Sequence, residues 1–118
     1  MTKKRFNKFL KEFHKAQESL LITKGHDYTQ GSNDRLLNFK EVAQLTGMTP
    51  LQVWAVYWMK HVFAICTYIK FNKLTSENIE SRFLDEANYS VLGAALITER
   101  ETNNKTRRKS DKRKKMEK

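Results

Sequence analysis

The stretch Pro50–Phe71, PLQVWAVYWMKHVFAICTYIKF, constrains the fold more than any other part of the chain. It carries both tryptophans, two of the four tyrosines and the single cysteine. Its start is well marked. Thr49 can cap a helix, Pro50 has the preset φ of a first helical residue, and Gln52 stands at the capping-box position. Met48 and Val53 occupy the two positions of a hydrophobic staple around that cap. At about 100° per residue, apolar side chains leave this helix in almost every direction, and only Lys60 and Thr67 draw a narrow polar line. A helix of this kind is expected to be buried, in a protein core or in a membrane. A membrane span needs about 20 predominantly apolar residues. Here Lys60 and His61 sit at the centre, and a lysine at mid-bilayer costs roughly 2.5–3.5 kcal/mol. The expectation is therefore no membrane span, and a buried central helix in a small all-α bundle.

A chain of 118 residues allows one domain. Four glycines and one proline leave few turns, which suits helices. One cysteine excludes an internal disulfide framework and fits a reducing compartment. The opening MTKKRFNKFL has no apolar core of signal-peptide length, so a cytoplasmic protein is expected. The net charge of +10 is uneven. Residues 1–15 hold six Lys or Arg against Glu12 alone, and residues 101–118 hold nine against three acids. Residues 16–100 are near neutral, with eight basic groups and nine acidic ones.

Helical spacing of Phe6, Phe9, Leu10, Phe13, Leu20 and Leu21 predicts an amphipathic first helix over 5–23. Its lysines form either a solvated face or a nucleic-acid contact. Residues 24–35 read as a polar loop, with Gly25 closing the first helix and His26, Asp27 and Tyr28 grouped within it. Such loops carry function more often than scaffold does, though a satisfied turn explains this one equally. A short helix over 35–46 follows, with Leu36, Leu37, Phe39, Val42, Ala43 and Leu45 as apolar members and Gly47 as its stop. After the central helix a last one spans 77–100, with core positions Ile79, Phe83, Leu84, Ala87, Val91, Ala94 and Ala95. Asp85, Asn88, Leu92 and Leu96 form a neighbouring stripe. The domain is thus expected over 1–100, as about four helices. Residues 101–118, with Met116 as the one apolar side chain, read as a basic tail, disordered or a frayed extension of the last helix.

Lys60 and His61 do not belong in a core unpaired. His61 shares a stripe with Trp54, Tyr57, Ala64 and Tyr68. The economical partners are Asp85, Asn88 or the loop at Asp27 and Tyr28. That arrangement would gather Lys, His, Asp, Asn and Tyr around one aromatic-lined concavity fit for a planar polar molecule. The plainer readings are a buried ion pair that fixes helix register, a core histidine, and an aromatic stripe used only for packing. No zinc-type cysteine spacing, Gly-rich phosphate loop or nucleophile elbow is present.

The order Lys24-Gly25-x-Asp27-Tyr28, Asn38-Phe39, Trp54-x-x-Tyr57-x-x-Lys60-His61 and Glu80-Ser81-Arg82-x-x-Asp85-x-x-Asn88-Tyr89 resembles the nucleotide modification associated domain 1 family. These are small helical proteins of phages and bacteria. The resemblance covers about residues 20–97 and neither basic end. It implies a setting in phage nucleotide or DNA-base metabolism, in the host cytoplasm if phage-encoded, without an implied reaction. A more distant similarity is to MazG-like all-α nucleoside triphosphate pyrophosphohydrolases, which hold Mg²⁺ with Glu-x-x-Glu on one helix and Glu-x-x-Asp on a later one. Glu77-x-x-Glu80 could supply one half, with Asp85, but Asp85-x-x-Asn88 has an amide where a second carboxylate belongs.

Three functions compete on this reading. The first is binding of a nucleotide or nucleotide-derived ligand by Lys24, His26, Asp27, Tyr28, Trp54, Tyr57, Lys60, His61, Arg82, Asp85, Asn88 and Tyr89. The second is Mg²⁺-dependent pyrophosphate release through Glu77, Glu80 and Asp85. The third is sequence-independent nucleic-acid binding through the basic ends, residues 105–118 above all. A homo-oligomer is expected as well, because Trp54, Trp58, Phe63 and Tyr68 cannot easily all be internal to one small domain.

Overall fold

The computed structural model describes residues 1–117, and within them regular structure is helical alone. The order is α1 (Lys3–Tyr28), α2 (Leu37–Thr46), α3 (Pro50–Phe71) and α4 (Ile79–Met116). No helix among the described residues is long and apolar enough to cross a membrane. The expected cap of α3 forms in full. Thr49 Oγ1 accepts from the Gln52 amide at 3.1 Å, and Gln52 Oε1 accepts from the Thr49 amide at 2.9 Å. The helix ends on Asn72 in the left-handed region, whose amide donates to the Tyr68 carbonyl.

α3 and α4 run antiparallel and form the main packed pair. Trp54 meets α4 at Tyr89 and Gly93, Trp58 meets Glu86, and His61 meets Asp85. The Trp54 indole donates to the Tyr89 carbonyl at 2.6 Å and lies flat enough on the α4 backbone that only a glycine fits beneath it. A Cβ at Gly93 would stand 2.6 Å from the Trp54 ring. Trp58 stacks on Trp54 at 5.5 Å and donates to Glu86 at 3.3 Å. α2 packs across α3, and the core is small: Leu36, Phe39, Ala43, Val53, Leu92 and Leu96.

A buried central helix does not result. Val53 is the one buried residue of α3, whereas Val56, Phe63, Ile69 and Phe71 are 56–71% exposed. The reason is coverage. α2 is ten residues long and reaches only part of α3, and α1 packs chiefly on α4.

Two other boundaries differ from the sequence reading. α1 does not stop at residue 23 but runs to Tyr28, and Gly25 lies inside it, buried. Gly25 is there for close approach: a Cβ would stand 2.7 Å from Arg35 Nε. The chain turns instead at Gln30 and Gly31, with φ of 48° and 78°. Beyond the turn, Asp34 Oδ1 accepts from the Leu36 amide at 3.0 Å. Its other oxygen takes Lys40 Nζ at 2.6 Å, and Lys40 reaches Glu99 of α4 at 2.7 Å. The hydrogen bond from Lys40 holds the Asp34 carboxyl below its ordinary pKa.

At the other end, residues 101–116 continue α4 as an exposed helix. Extending an existing helix adds a hydrogen bond for each residue fixed. Arg113, Lys114 and Lys115 in its last turn suit the dipole. Lys118, the end of the expected tail, lies outside the described residues.

The Trp54–Gly93 approach gives a stability prediction. Gly93→Ala gains about 1 kcal/mol of helix propensity, but the new methyl overlaps the indole, and overpacking costs about 1–3 kcal/mol. The expected outcome is a net loss of stability in urea denaturation followed by tryptophan fluorescence; a stabilised variant would contradict the packing.

Candidate functional site

A cavity of about 480 Å³ opens where α1, α3 and α4 meet the start of α2. Its floor is apolar and aromatic: Leu21, Phe39, Val42, Leu92, Tyr57 and Tyr89. Phe39 stands edge-on to Tyr89 at 6.4 Å and tilted to Tyr57 at 6.3 Å. The polar wall holds Lys24, Arg35, Asn38, Lys60, His61, Glu77, Arg82, Asp85 and Asn88, with Tyr28 at the α1 side.

Asp85 is the centre of that wall. It is 8% exposed, and Lys24 Nζ donates to its Oδ1 at 3.0 Å. His61 Nδ1 lies 3.8 Å from its Oδ2, beyond hydrogen-bond length. Of the two expected cations, then, neither Lys60 nor His61 satisfies Asp85; Lys24 does. The cause is local geometry. Because α1 stays helical through Gly25, Lys24 and Tyr28, four residues apart, share the face toward the cavity. His26 and Asp27 fall on the other side of that turn, exposed, and line no part of the cavity. Lys60 and His61 are adjacent on α3 and diverge by about 100°: His61 turns inward against Tyr89, with ring centres 4.9 Å apart, and Lys60 stays at the rim.

The structure brings Lys24, Tyr28, Tyr57, Lys60, His61, Arg82, Asp85, Asn88 and Tyr89 together around the cavity and leaves out His26, Asp27 and Trp54. Trp54 is committed to Gly93 and the Tyr89 carbonyl. Sequence reasoning missed Arg35 and Asn38. Arg35 crosses Gly25, and its guanidinium donates to the Leu21 carbonyl at 3.3 Å. The signal for it was the glycine itself, which read as a helix stop.

Four residues of this one wall each carry a buried polar atom without a hydrogen-bond partner: Asn38 Oδ1, His61 Nδ1, Arg82 Nε and Asn88 Oδ1. Arg82 Nε has Glu77 Oε2 at 3.6 Å, too long for a hydrogen bond. Buried unpartnered polar atoms are uncommon in folded proteins, and each costs about 1–3 kcal/mol. Burial holds the His61 imidazole below its ordinary pKa against the opposing pull of Asp85, with Arg82, Lys24 and Lys60 adding to the depression. Burial likewise pushes the Tyr89 phenol up to about 12. At neutral pH both rings are therefore uncharged.

The expected metal ligands do not assemble. Among the described residues no group of three or more His, Cys, Asp or Glu gathers as a metal site. Asp85 is engaged by Lys24, Glu77 faces Arg82, and Glu80 is exposed outside the cavity. Mg²⁺ takes near-octahedral oxygen donors, and this donor set does not fit it. Comparison with protein-family models, curated proteins and solved structures finds no match to the chain.

His61 makes stability depend on pH with a definite sign. Its folded pKa lies below the ordinary 6.5. Above that value the ring is neutral in both states and contributes nothing. As pH falls through about 6.5 the unfolded chain takes up a proton that the fold resists, so stability declines until the folded pKa is passed. His61→Gln is expected to flatten the decline in urea-unfolding free energy between about pH 7 and 5; an unchanged slope would contradict the burial of this imidazole.

Proposed function

We propose that the chain binds a small planar anionic ligand, a nucleotide or a nucleotide-derived molecule, in the cavity around Asp85. The observation that supports this reading most is the concentration of four buried, unpartnered polar atoms on residues of one cavity wall. A ligand with complementary donors and acceptors would recover what they cost the free protein. Charge narrows the class. Four cations line the cavity, Lys24, Arg35, Lys60 and Arg82, against the two carboxylates of Glu77 and Asp85. Those two carboxylates already face Lys24 and Arg82, so Arg35 and Lys60 have no acid partner among the described residues. Such cations suit a phosphate. Tyr28, Tyr57 and Tyr89 supply faces for a planar ring, and Asn38 and Asn88 supply amides, each able to donate and accept, for its polar edge. The motif order that resembles the nucleotide modification associated family points to the same ligand class.

Isothermal calorimetry against nucleoside mono-, di- and triphosphates and cyclic dinucleotides tests the reading. Saturable heat with at least one of them is expected. Arg35→Ala and Lys60→Ala should each weaken that binding about tenfold or more, since a hydrogen bond to a charged group contributes about 1.5–3 kcal/mol. Protein freed of co-purified ligand that gives no heat with any of these compounds would end the proposal.

A second reading concerns the far end of α4. Lys105, Arg108, Lys109 and Lys112 recur at 3- and 4-residue steps on one face of a helix that nothing covers. We infer sequence-independent binding of nucleic-acid phosphates along this face. A chain ending at Arg100 should lose salt-dependent affinity for DNA or RNA; equal affinity at equal salt would make the extension irrelevant.

A further inference from the structure

Asp85 is an unexpected group in a cavity that otherwise collects cations. It is 8% exposed, and among the described residues only Lys24 donates to it, at Oδ1. Its Oδ2 has His61 Nδ1 at 3.8 Å, beyond hydrogen-bond length. A carboxylate offers about four lone-pair sites, so most of the acceptor capacity of this buried group is unused. Its neighbours on α4 are in the same condition. Arg82, three residues before it, carries a buried Nε donor without a hydrogen-bond partner among the described residues. Asn88, three residues after it and 5% exposed, carries a buried Oδ1 acceptor without one. All three residues line the cavity, and positions three apart on a helix are surface neighbours. This stretch of wall therefore presents a donor, a carboxylate and an amide oxygen, in that order.

We propose that the base held in this cavity is guanine, with its O6 toward Arg82, its N1–H on Asp85, and its 2-amino group between Asp85 and Asn88. The proposal rests on the nucleotide reading above and adds the identity of the base. Complementarity selects it. Along one edge guanine carries the O6 acceptor, the N1–H donor and an amino group with two hydrogens, the same order as the wall in opposite sense. It is the common base with two adjacent donor groups, a pattern that a carboxylate accepts with both oxygens. Adenine and cytosine set an amino group beside a ring-nitrogen lone pair, and uracil sets one N–H between two carbonyls. Each would turn a lone pair toward Asp85, Asn88 or both, where it is repelled. Hypoxanthine has no amino group and would leave Asn88 Oδ1 unpaired. Lys24 on Oδ1 offsets the charge of Asp85, so the carboxylate can read the base without opposing the phosphate drawn by Arg35 and Lys60.

Titration calorimetry of the full chain, freed of co-purified ligand, reads the preference. The probes are the mono- and triphosphates of guanosine, inosine, xanthosine, adenosine, cytidine and uridine. Guanosine nucleotides are expected to bind tightest. Inosine nucleotides, which lack only the amino group, are expected to bind about tenfold or more weaker, as the loss of a hydrogen bond to a charged group implies. Xanthosine nucleotides put a carbonyl where the amino group stood. Asp85→Asn can donate to that carbonyl, so this variant is expected to prefer xanthosine nucleotides to guanosine ones, the reverse of wild type. A role for Asp85 in holding α1 alone would weaken both equally. Asn88→Ala is expected to narrow the gap between guanosine and inosine nucleotides, and this result and the wild-type series stand whether or not Asp85→Asn folds. Three results would each overturn guanine and leave nucleotide binding standing: inosine and guanosine nucleotides bound equally by wild type, an adenosine, cytidine or uridine nucleotide bound more tightly, or a folded Asp85→Asn variant that keeps the wild-type order. No heat with any of the probes would overturn both.

Discussion

The attachment of α1, and with it the cavity, depends on one buried carboxylate. Asp85 is almost enclosed, and a charge in that position is costly unless it is paired and hydrogen-bonded. Lys24 supplies the partner at 3.0 Å from the last turns of α1, and His61 supplies an uncharged neighbour from α3. One side chain on α4 thereby ties α1 to a position that an apolar contact alone would leave free to slide. Lys24 remains partly exposed, so screening reduces what the pair adds to stability. Its contribution is better understood as register: it fixes which turn of α1 meets α4, and hence that Tyr28 and Leu21 face the cavity. The site and the tertiary contact are the same object.

The apolarity of α3 is divided between two faces in this arrangement. Inward, Val53, Trp54 and Tyr57 pack against the six-residue core and against Gly93. Outward, Val56, Met59, Phe63, Ile69 and Phe71 stay exposed, because a ten-residue α2 is too short to cover them. Sequence periodicity averages these two faces into one impression of a helix that should be buried all round. What it reports is total demand for burial, and a small domain meets only part of such a demand by itself.

The legible parts of the fold were those set by local chemistry. The Thr49, Pro50 and Gln52 cap, the Gly47 stop and the existence of four helices follow from side chains acting on their own backbone. The illegible parts were set by contacts distant in sequence. Gly25 reads as a terminator until Arg35 is seen crossing it, and then its missing side chain is a matter of space. His26 and Asp27 were drawn into the candidate site by that same misreading, since a loop would have let them turn inward while a helix does not. Asp85, Asn88 and His61 were recoverable because polar residues on apolar stripes need partners. Which cation would reach Asp85 was not recoverable, because Lys24 and Lys60 differ only in the direction their helices aim them.

The two basic features of the molecule are electrostatically separate, and their geometry shows why. Asn88 in the cavity wall and Lys105 at the start of the basic face lie on the same helix, seventeen residues and about 25 Å apart. At physiological ionic strength the screening length is about 8 Å, so the extension adds almost nothing to the potential felt by a ligand inside the cavity. The cations that matter there are Arg35 and Lys60, set by the crossing at Gly25 and by the rim of α3. The overall charge of the chain is therefore a poor guide to the charge of the cavity. Most of the excess sits at the two ends, while the cavity lies in a near-neutral body, lined by two cations, Arg35 and Lys60, that have no acid partner among the described residues.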